Sequence, residues 1–231
     1  MAASDLAALA ALFADETRAA FALALLDGRA WTAGELARHA RVAPSTASEH
    51  LGKLVAGGVL TEERQGRHRY VRLADPGVAH LVEDLAARSE PATPAPPRSL
   101  RAAGAGAAMA RGRTCYDHLA GRLGIAVTDA MTARGLLRQD TGFALTDRGL
   151  GWFEDLGVAL VPKGRRPLAR ACLDWTERRP HLAGVAGAAL CAHALEAGWC
   201  VRIGSERAVR VTAEGERALR ETLGIEAGAL R

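Results

Sequence analysis

The sequence predicts a mainly α protein with small β-hairpin wings (α+β). An N-terminal winged helix-turn-helix precedes a C-terminal domain of two degenerate helix–hairpin–helix units. Three observations predict this. An amphipathic stretch from Pro44 to Val55 lies between a short turn and an arginine-rich hairpin. Four prolines crowd residues 90–99. A pattern over residues 135–158 returns over residues 198–225. The division that follows is a domain at 1–89, a Pro-rich linker at 90–101, stiff rather than floppy, and a second domain at 102–231.

Ser4-Asp5 reads as the cap of a first helix carrying Leu6, Leu9, Leu12 and Phe13. Asp15 caps a second, with Ala19, Phe21, Leu23, Leu25 and Leu26 up to Asp27-Gly28. Thr32 caps a third over Ala33 to Ala40, with Leu36 inward, and Arg41-Val42-Ala43 is the turn. The fourth helix opens on Pro44, whose missing N–H costs nothing at a first helical position. Ala47, Leu51, Leu54 and Val55 fall on one face of it. Ser45, Thr46, Ser48, Glu49, Gly52 and Lys53 fall on the other, small or polar residues able to approach base edges and phosphates. Gly57-Gly58 ends it.

The period then changes from helical to alternating. Val59–Arg64 and His68–Leu73 read as two strands around Gln65-Gly66-Arg67, a β-wing. Asp75-Pro76 starts a fifth helix, Val78 to about Ser89, with Leu81, Val82 and Leu85 apolar. Beyond the prolines, Ala102–Ala110 suits either more linker or the start of a helix. Each copy of the repeat then reads helix, short hairpin and a helix capped by Thr146 or Thr212 in a Thr-x-x-Gly motif.

Composition narrows the function classes. With 49% hydrophobic residues a core is easily built, and no apolar run is long enough for a membrane span. The first residues lack the basic segment of a signal peptide. Four cysteines at 115, 172, 191 and 200 form no disulfide framework, which predicts a reducing, cytoplasmic compartment. The net charge is +4, but residues 1–90 hold 10 Lys/Arg against 12 Asp/Glu and the remainder 20 against 14. Positive charge for a phosphate backbone is therefore local, in Arg64, Arg67, Arg69 and Arg72. Ser45, Thr46, Ser48 and Glu49 are the candidate base readers. His50, Lys53, Arg64, Arg67 and Arg69 are the candidate phosphate contacts.

Residues 4–89 resemble the ArsR-type winged helix-turn-helix transcriptional repressors. The resemblance rests on Ala14-Asp15-Glu16-Thr17-Arg18, on Ser45–Leu54 followed by Ala56-Gly57-Gly58-Val59-Leu60, and on Gln65–Leu73. It implies a homodimer joined through the first and fifth helices and bound to an inverted-repeat operator in double-stranded DNA. It also implies release by an inducer, here an unidentified small molecule. Many members of that family carry a Cys-x-Cys pair in the helix before the recognition helix. Here that helix is Glu35-Leu36-Ala37-Arg38-His39-Ala40, and the fifth helix lacks the family's paired His and carboxylates. Any sensor is therefore expected in the second half.

There, Cys115-Tyr116-Asp117-His118 and Cys172–His181 stand out. Three residues apart, Cys115 and His118 share one side if the segment is helical. Cys115, His118, Cys172 and His181 make a ligand set that zinc or another thiophilic metal accepts. Three other readings stay open. Cys115 and Cys172 suit oxidation or modification as thiol sensors. Arg178 and Arg179 beside Trp175 suit an anionic or aromatic ligand. The cysteines also suit plain burial in a structural or protein-interacting domain. The competing class is an enzyme, with Cys172 as nucleophile and His118 or His181 as base. Against it, the chain has no nucleophile elbow, phosphate loop or dinucleotide fingerprint.

Overall fold

A computed structural model describes residues 2–66, 68–89, 100–140, 142–162, 164–204 and 207–230. The chain divides into two compact units, residues 1–83 and 84–231.

The first unit begins with α1 (Ala3–Phe13), α2 (Glu16–Ala24), β1 (Trp31–Thr32), α3 (Ala33–Ala40) and α4 (Pro44–Ala56). The wing β2 (Leu60–Gln65) and β3 (His68–Leu73) and then α5 (Pro76–Arg88) follow, α5 running past the division between units. The expected Ser4-Asp5 cap is not used. Ala2 takes the cap position, and Asp5, in the first turn, accepts from its N–H at 3.1 Å. A carboxylate at the third helical position serves a free amide as well as one at the cap does. Asp15 does cap α2, accepting from the Arg18 N–H at 2.9 Å. Thr32 and Glu35 form a reciprocal capping box on α3. Arg18 does more than continue α2: its guanidinium donates to the carbonyls of Leu12 and Ala11, both at 2.7 Å. It thereby satisfies carbonyls that the end of α1 leaves open.

Strand order is β1-β3-β2, all antiparallel. The two-residue β1, too short to announce itself in sequence, pairs Trp31 with Val71 and Thr32 with Tyr70. Wing register runs from Leu60 opposite Leu73 to Gln65 opposite His68, so Gln65 belongs to the strand and not to the turn. α5 starts at Pro76, two residues before the expected Val78, with Asp75 accepting from the Val78 N–H at 3.0 Å. Phe21, Leu25, Leu36, Leu51, Leu54, Leu60 and Val71 form the core. Leu51 and Leu54 are fully buried, each contributing about 1.5–3 kcal/mol, and this anchors one face of α4 and turns the other outward.

The second unit opens with α6 (Leu100–Arg111). Leu100 and Arg101 thus belong to a helix rather than to the expected linker at 90–101, as the alanines that follow favour. Residues 90–99, the rest of that linker, lie outside the described residues. One repeat consists of β4 (Arg113–Cys115), β5 (His118–Ala120), α7 (Gly121–Ala133), β6 (Leu137–Arg138), β7 (Ala144–Leu145) and α8 (Asp147–Asp155). The other consists of β8 (Arg170–Leu173), β9 (Pro180–Ala183), α9 (Gly184–Glu196), β10 (Cys200–Arg202), β11 (Val209–Val211) and α10 (Ala213–Leu223). The expected helix–hairpin–helix unit is therefore one hairpin short, because each copy begins with a further β-hairpin. Thr146 and Thr212 cap α8 and α10, accepting from Gly149 and Gly215 at 3.1 and 3.0 Å and donating to the carbonyls of Gly135 and Gly198, both at 2.7 Å.

The halves are interleaved. β5 packs on α9 of the other repeat and β9 on α7, and one core holds Leu123, Met131, Phe153, Leu190, Trp199 and Leu219 from both. α7 and α9 each place a glycine where a side chain would collide. A Cβ on Gly124 would stand 2.4 Å from the Leu119 carbonyl oxygen, and one on Gly187 2.5 Å from that of Leu182. Those glycines let the hairpins settle onto the helices. No helix among the described residues is long and apolar enough to cross a membrane.

Candidate functional site

In the first unit, Ser45, Ser48, Glu49 and Lys53 lie exposed on α4, and Thr46 is half-buried. Lys53 and Glu49 form an ion pair at 2.7 Å, one turn apart, and the hydrogen bond from Lys53 lowers the Glu49 pKa. His50 turns inward instead. Its Nδ1 lies 3.4 Å from Arg18 Nη1 and 3.5 Å from Asp15 Oδ1, at the start of α2. On the wing Arg64 is exposed and stands opposite Arg69, which is ion-paired with Glu62. Arg67 lies outside the described residues.

In the second unit the two cysteine–histidine segments come together. Cys115 and His118 do not share a helix face. They are cross-strand partners in the β4–β5 hairpin, on either side of the Tyr116-Asp117 turn. The helical reading failed because a tight hairpin also brings residues three apart side by side. Cys172 and His181 are cross-strand partners in the β8–β9 hairpin, whose longer loop runs from Asp174 to Arg179. All four residues are buried, and their ligand atoms lie within 4.8 Å of one another.

The spacing suits tetrahedral coordination. Cys115 Sγ and Cys172 Sγ are 3.8 Å apart, and His118 Nε2 and His181 Nε2 are 3.1 Å apart. Zinc bond lengths of about 2.3 Å to sulfur and 2.0–2.1 Å to nitrogen give tetrahedral edges of about 3.8 and 3.3 Å. The thiols are free rather than joined. Each hairpin contributes one sulfur and one nitrogen, so the cluster sits where the two repeats meet. His118 lies over Gly187 and His181 over Gly124, each against the helix of the other repeat.

Charged groups that the sequence reading missed surround it. Asp174, fully buried, accepts from Arg113 Nη2 at 3.0 Å and the Gly121 N–H at 2.7 Å on Oδ2. Its Oδ1 accepts from the Thr176 N–H and hydroxyl and the Glu177 N–H, at 2.9, 2.7 and 3.0 Å. Burial alone would raise its pKa, but the Arg113 guanidinium and these hydrogen bonds hold it well below the carboxylate range. Asp117 is likewise held down against burial, by His118 and by Arg166, which donates two hydrogen bonds at 2.5 and 2.9 Å. Burial works against a charged His118, but its contacts with Asp117 and Cys115 outweigh this and raise its pKa.

Trp175 receives the Arg113 guanidinium 5.1 Å from its ring centre. Arg178 donates to the Ala87 carbonyl at 2.8 Å, and Arg179 pairs with Asp129 at 2.7 Å on the surface. The two arginines thus reach different protein groups, each through one guanidinium nitrogen. Cys191 and Cys200 are core residues whose thiols burial pushes up to about 11 and about 12. Asp117 and Asp174 stood in the same short motifs as the four candidate ligands. Position next to His118 and two residues after Cys172 was the available signal, but burial was not legible.

Comparison with known proteins gives the following. Residues 13–63 match the family described as Helix-turn-helix domain. Over 225 residues the chain is 39% identical to the uncharacterized HTH-type transcriptional regulator YdfF of Bacillus subtilis strain 168, covering 96% of this chain and 98% of that one. Among solved structures, the transcriptional repressor BigR from Xylella fastidiosa is 26% identical over 36% of this chain and 84% of that one, with a TM-score of 0.33. The cadmium metal-sensor CMTR from Mycobacterium tuberculosis is 30% identical over 40% of this chain and 99% of that one, with a TM-score of 0.32.

Proposed function

Since the chain belongs to the HTH-type transcriptional regulators, we propose that it is a repressor of the ArsR type whose hold on DNA answers to a metal ion in its second unit. The first unit supplies the DNA-binding helix-turn-helix. Two copies joined through α1 and α5 read an inverted repeat, with Ser45, Thr46, Ser48 and Glu49 at base edges and Lys53, Arg64 and Arg67 on phosphates. Arg69 and His50 hold the reading elements in place through Glu62 and through Asp15 and Arg18.

The observation that supports metal sensing is the closure of Cys115, His118, Cys172 and His181 to within 4.8 Å in a buried setting. Two sulfurs and two imidazole nitrogens suit zinc or another thiophilic ion. Such an ion supplies a four-point link between the repeats. It acts on operator affinity through its preference for one of two states of the protein.

Elemental analysis and operator retardation test this together. Full-length protein carries about one zinc-class ion per chain, Cys115→Ser and His181→Ala carry almost none, and a chelator changes the operator affinity of the wild type but not of the variants. Metal-free protein that takes up no zinc, or identical operator affinity with and without bound metal, rejects the sensing role.

A further inference from the structure

We propose that Asp117 and Asp174 are the positioning residues of the metal centre, each orienting one ligand histidine, and that Arg166 and Arg113 in turn fix the two carboxylates. The proposal rests on the reading of Cys115, His118, Cys172 and His181 as ligands. The two histidines face each other through Nε2, at 3.1 Å. Both can offer an Nε2 lone pair to one ion only if both carry their proton on Nδ1. A carboxylate stands at each Nδ1: Asp117 Oδ1 is 3.3 Å from that of His118, and Asp174 Oδ2 is 3.7 Å from that of His181.

His181 Nδ1 is the sharper case. It is a buried ring nitrogen without a hydrogen-bond partner among the described residues, in a side chain wholly out of solvent. Such an atom costs stability unless it is satisfied, and a carboxylate oxygen that is itself wholly buried, Asp174 Oδ2, lies 3.7 Å from it. Asp174 cannot swing away to another partner. Five donors already grip its two oxygens, among them Arg113, whose side chain is also fully buried. An ion on Nε2 makes the Nδ1 proton a stronger donor. Metal binding therefore gives the orphan nitrogen its partner at small displacement. Arg113 carries the arrangement one step further, since its Nη1 donates to the Met109 carbonyl near the end of α6 at 3.2 Å. The same layout recurs on the other side as His118, Asp117 and Arg166, at the surface end of the site.

The test uses full-length protein, with Zn(II) affinity measured by competition with a chromophoric chelator and Co(II) absorption reporting the ligand geometry. Asp117→Asn and Asp174→Asn each weaken Zn(II) binding about 10–100-fold. Arg166→Gln, one step removed, weakens it less. Because Asp174→Asn also strands the fully buried Arg113, Asp117→Asn decides the matter: its carboxylate is 32% exposed, and the Arg166 it leaves, equally exposed, can turn to solvent. Zn(II) affinity unchanged in both aspartate variants, while the wild type binds, overturns the positioning role and leaves the four ligands standing. So does a lowered metal-free melting temperature of Asp117→Asn with unaltered affinity. A wild type that binds neither Zn(II) nor Co(II) overturns the ligand reading and this proposal with it.

Discussion

Lys53 and Arg64 are exposed on the two elements that the proposed docking brings to DNA, α4 and the wing. A phosphate contact is sequence-independent and releases counterions. Lys53→Ala and Arg64→Ala should therefore each weaken retardation of operator and of unrelated DNA alike, and lower the salt slope by about 1. An unchanged slope in both removes them from the interface. Ser48 differs in kind: its replacement by Ala should change the preference among operator variants more than the salt slope. Glu35 gives a pH signature. Its pKa is lowered chiefly by the hydrogen bond from the Thr32 backbone N–H, against opposing burial. A depressed carboxylate adds stability that is fully present above its unfolded value, about 4.3, and is lost as pH falls through the folded value. The stability gap between wild type and Glu35→Gln, measured by urea denaturation, should be open at pH 6 and narrower at pH 3.

At the scale of elements, the caps decide how the repeats are stitched. Thr212 joins the start of α10 to the β10 end of its hairpin, and Thr212→Ala should cost about 1 kcal/mol in urea unfolding. Gly215→Ala should cost more, about 1–3 kcal/mol, because the added Cβ would stand 2.0 Å from the Trp199 carbonyl oxygen. A glycine variant as stable as the wild type would mean that α10 can shift along the hairpin. These caps were legible in sequence because Thr-x-x-Gly states a local hydrogen bond. The wing, the turn at Arg41 and the helix opened by Pro44 were legible for the same reason, each being specified by neighbouring residues. The β4–β5 and β8–β9 hairpins were not. Cys115 to His118 fits one turn of helix as well as a tight hairpin, and the choice is made by packing on α9 in the other repeat. Arg113 and Asp174 were missed because a charged pair 61 positions apart announces itself only once both are buried.

For the whole molecule, similarity over 96% of the chain to one transcriptional regulator takes in both units, so the second unit is part of that protein's plan. The proposed dimer has a surface to explain: Leu6 and Leu9 on α1 are 59% and 38% exposed. Leu6→Glu combined with Leu9→Glu should give a monomer in sedimentation velocity and reduce operator affinity at least tenfold. A variant that stays dimeric moves the interface elsewhere.

Both halves of the four-residue cluster are encoded in a single polypeptide, one Cys and one His from each hairpin. A site shared across a subunit boundary fades as protein is diluted, because its halves part company. The proposed site would not, since all four side chains belong to one molecule. A cell holding only a few copies of the regulator would lose the proposed dimer to mass action well before any chain lost its four-residue cluster.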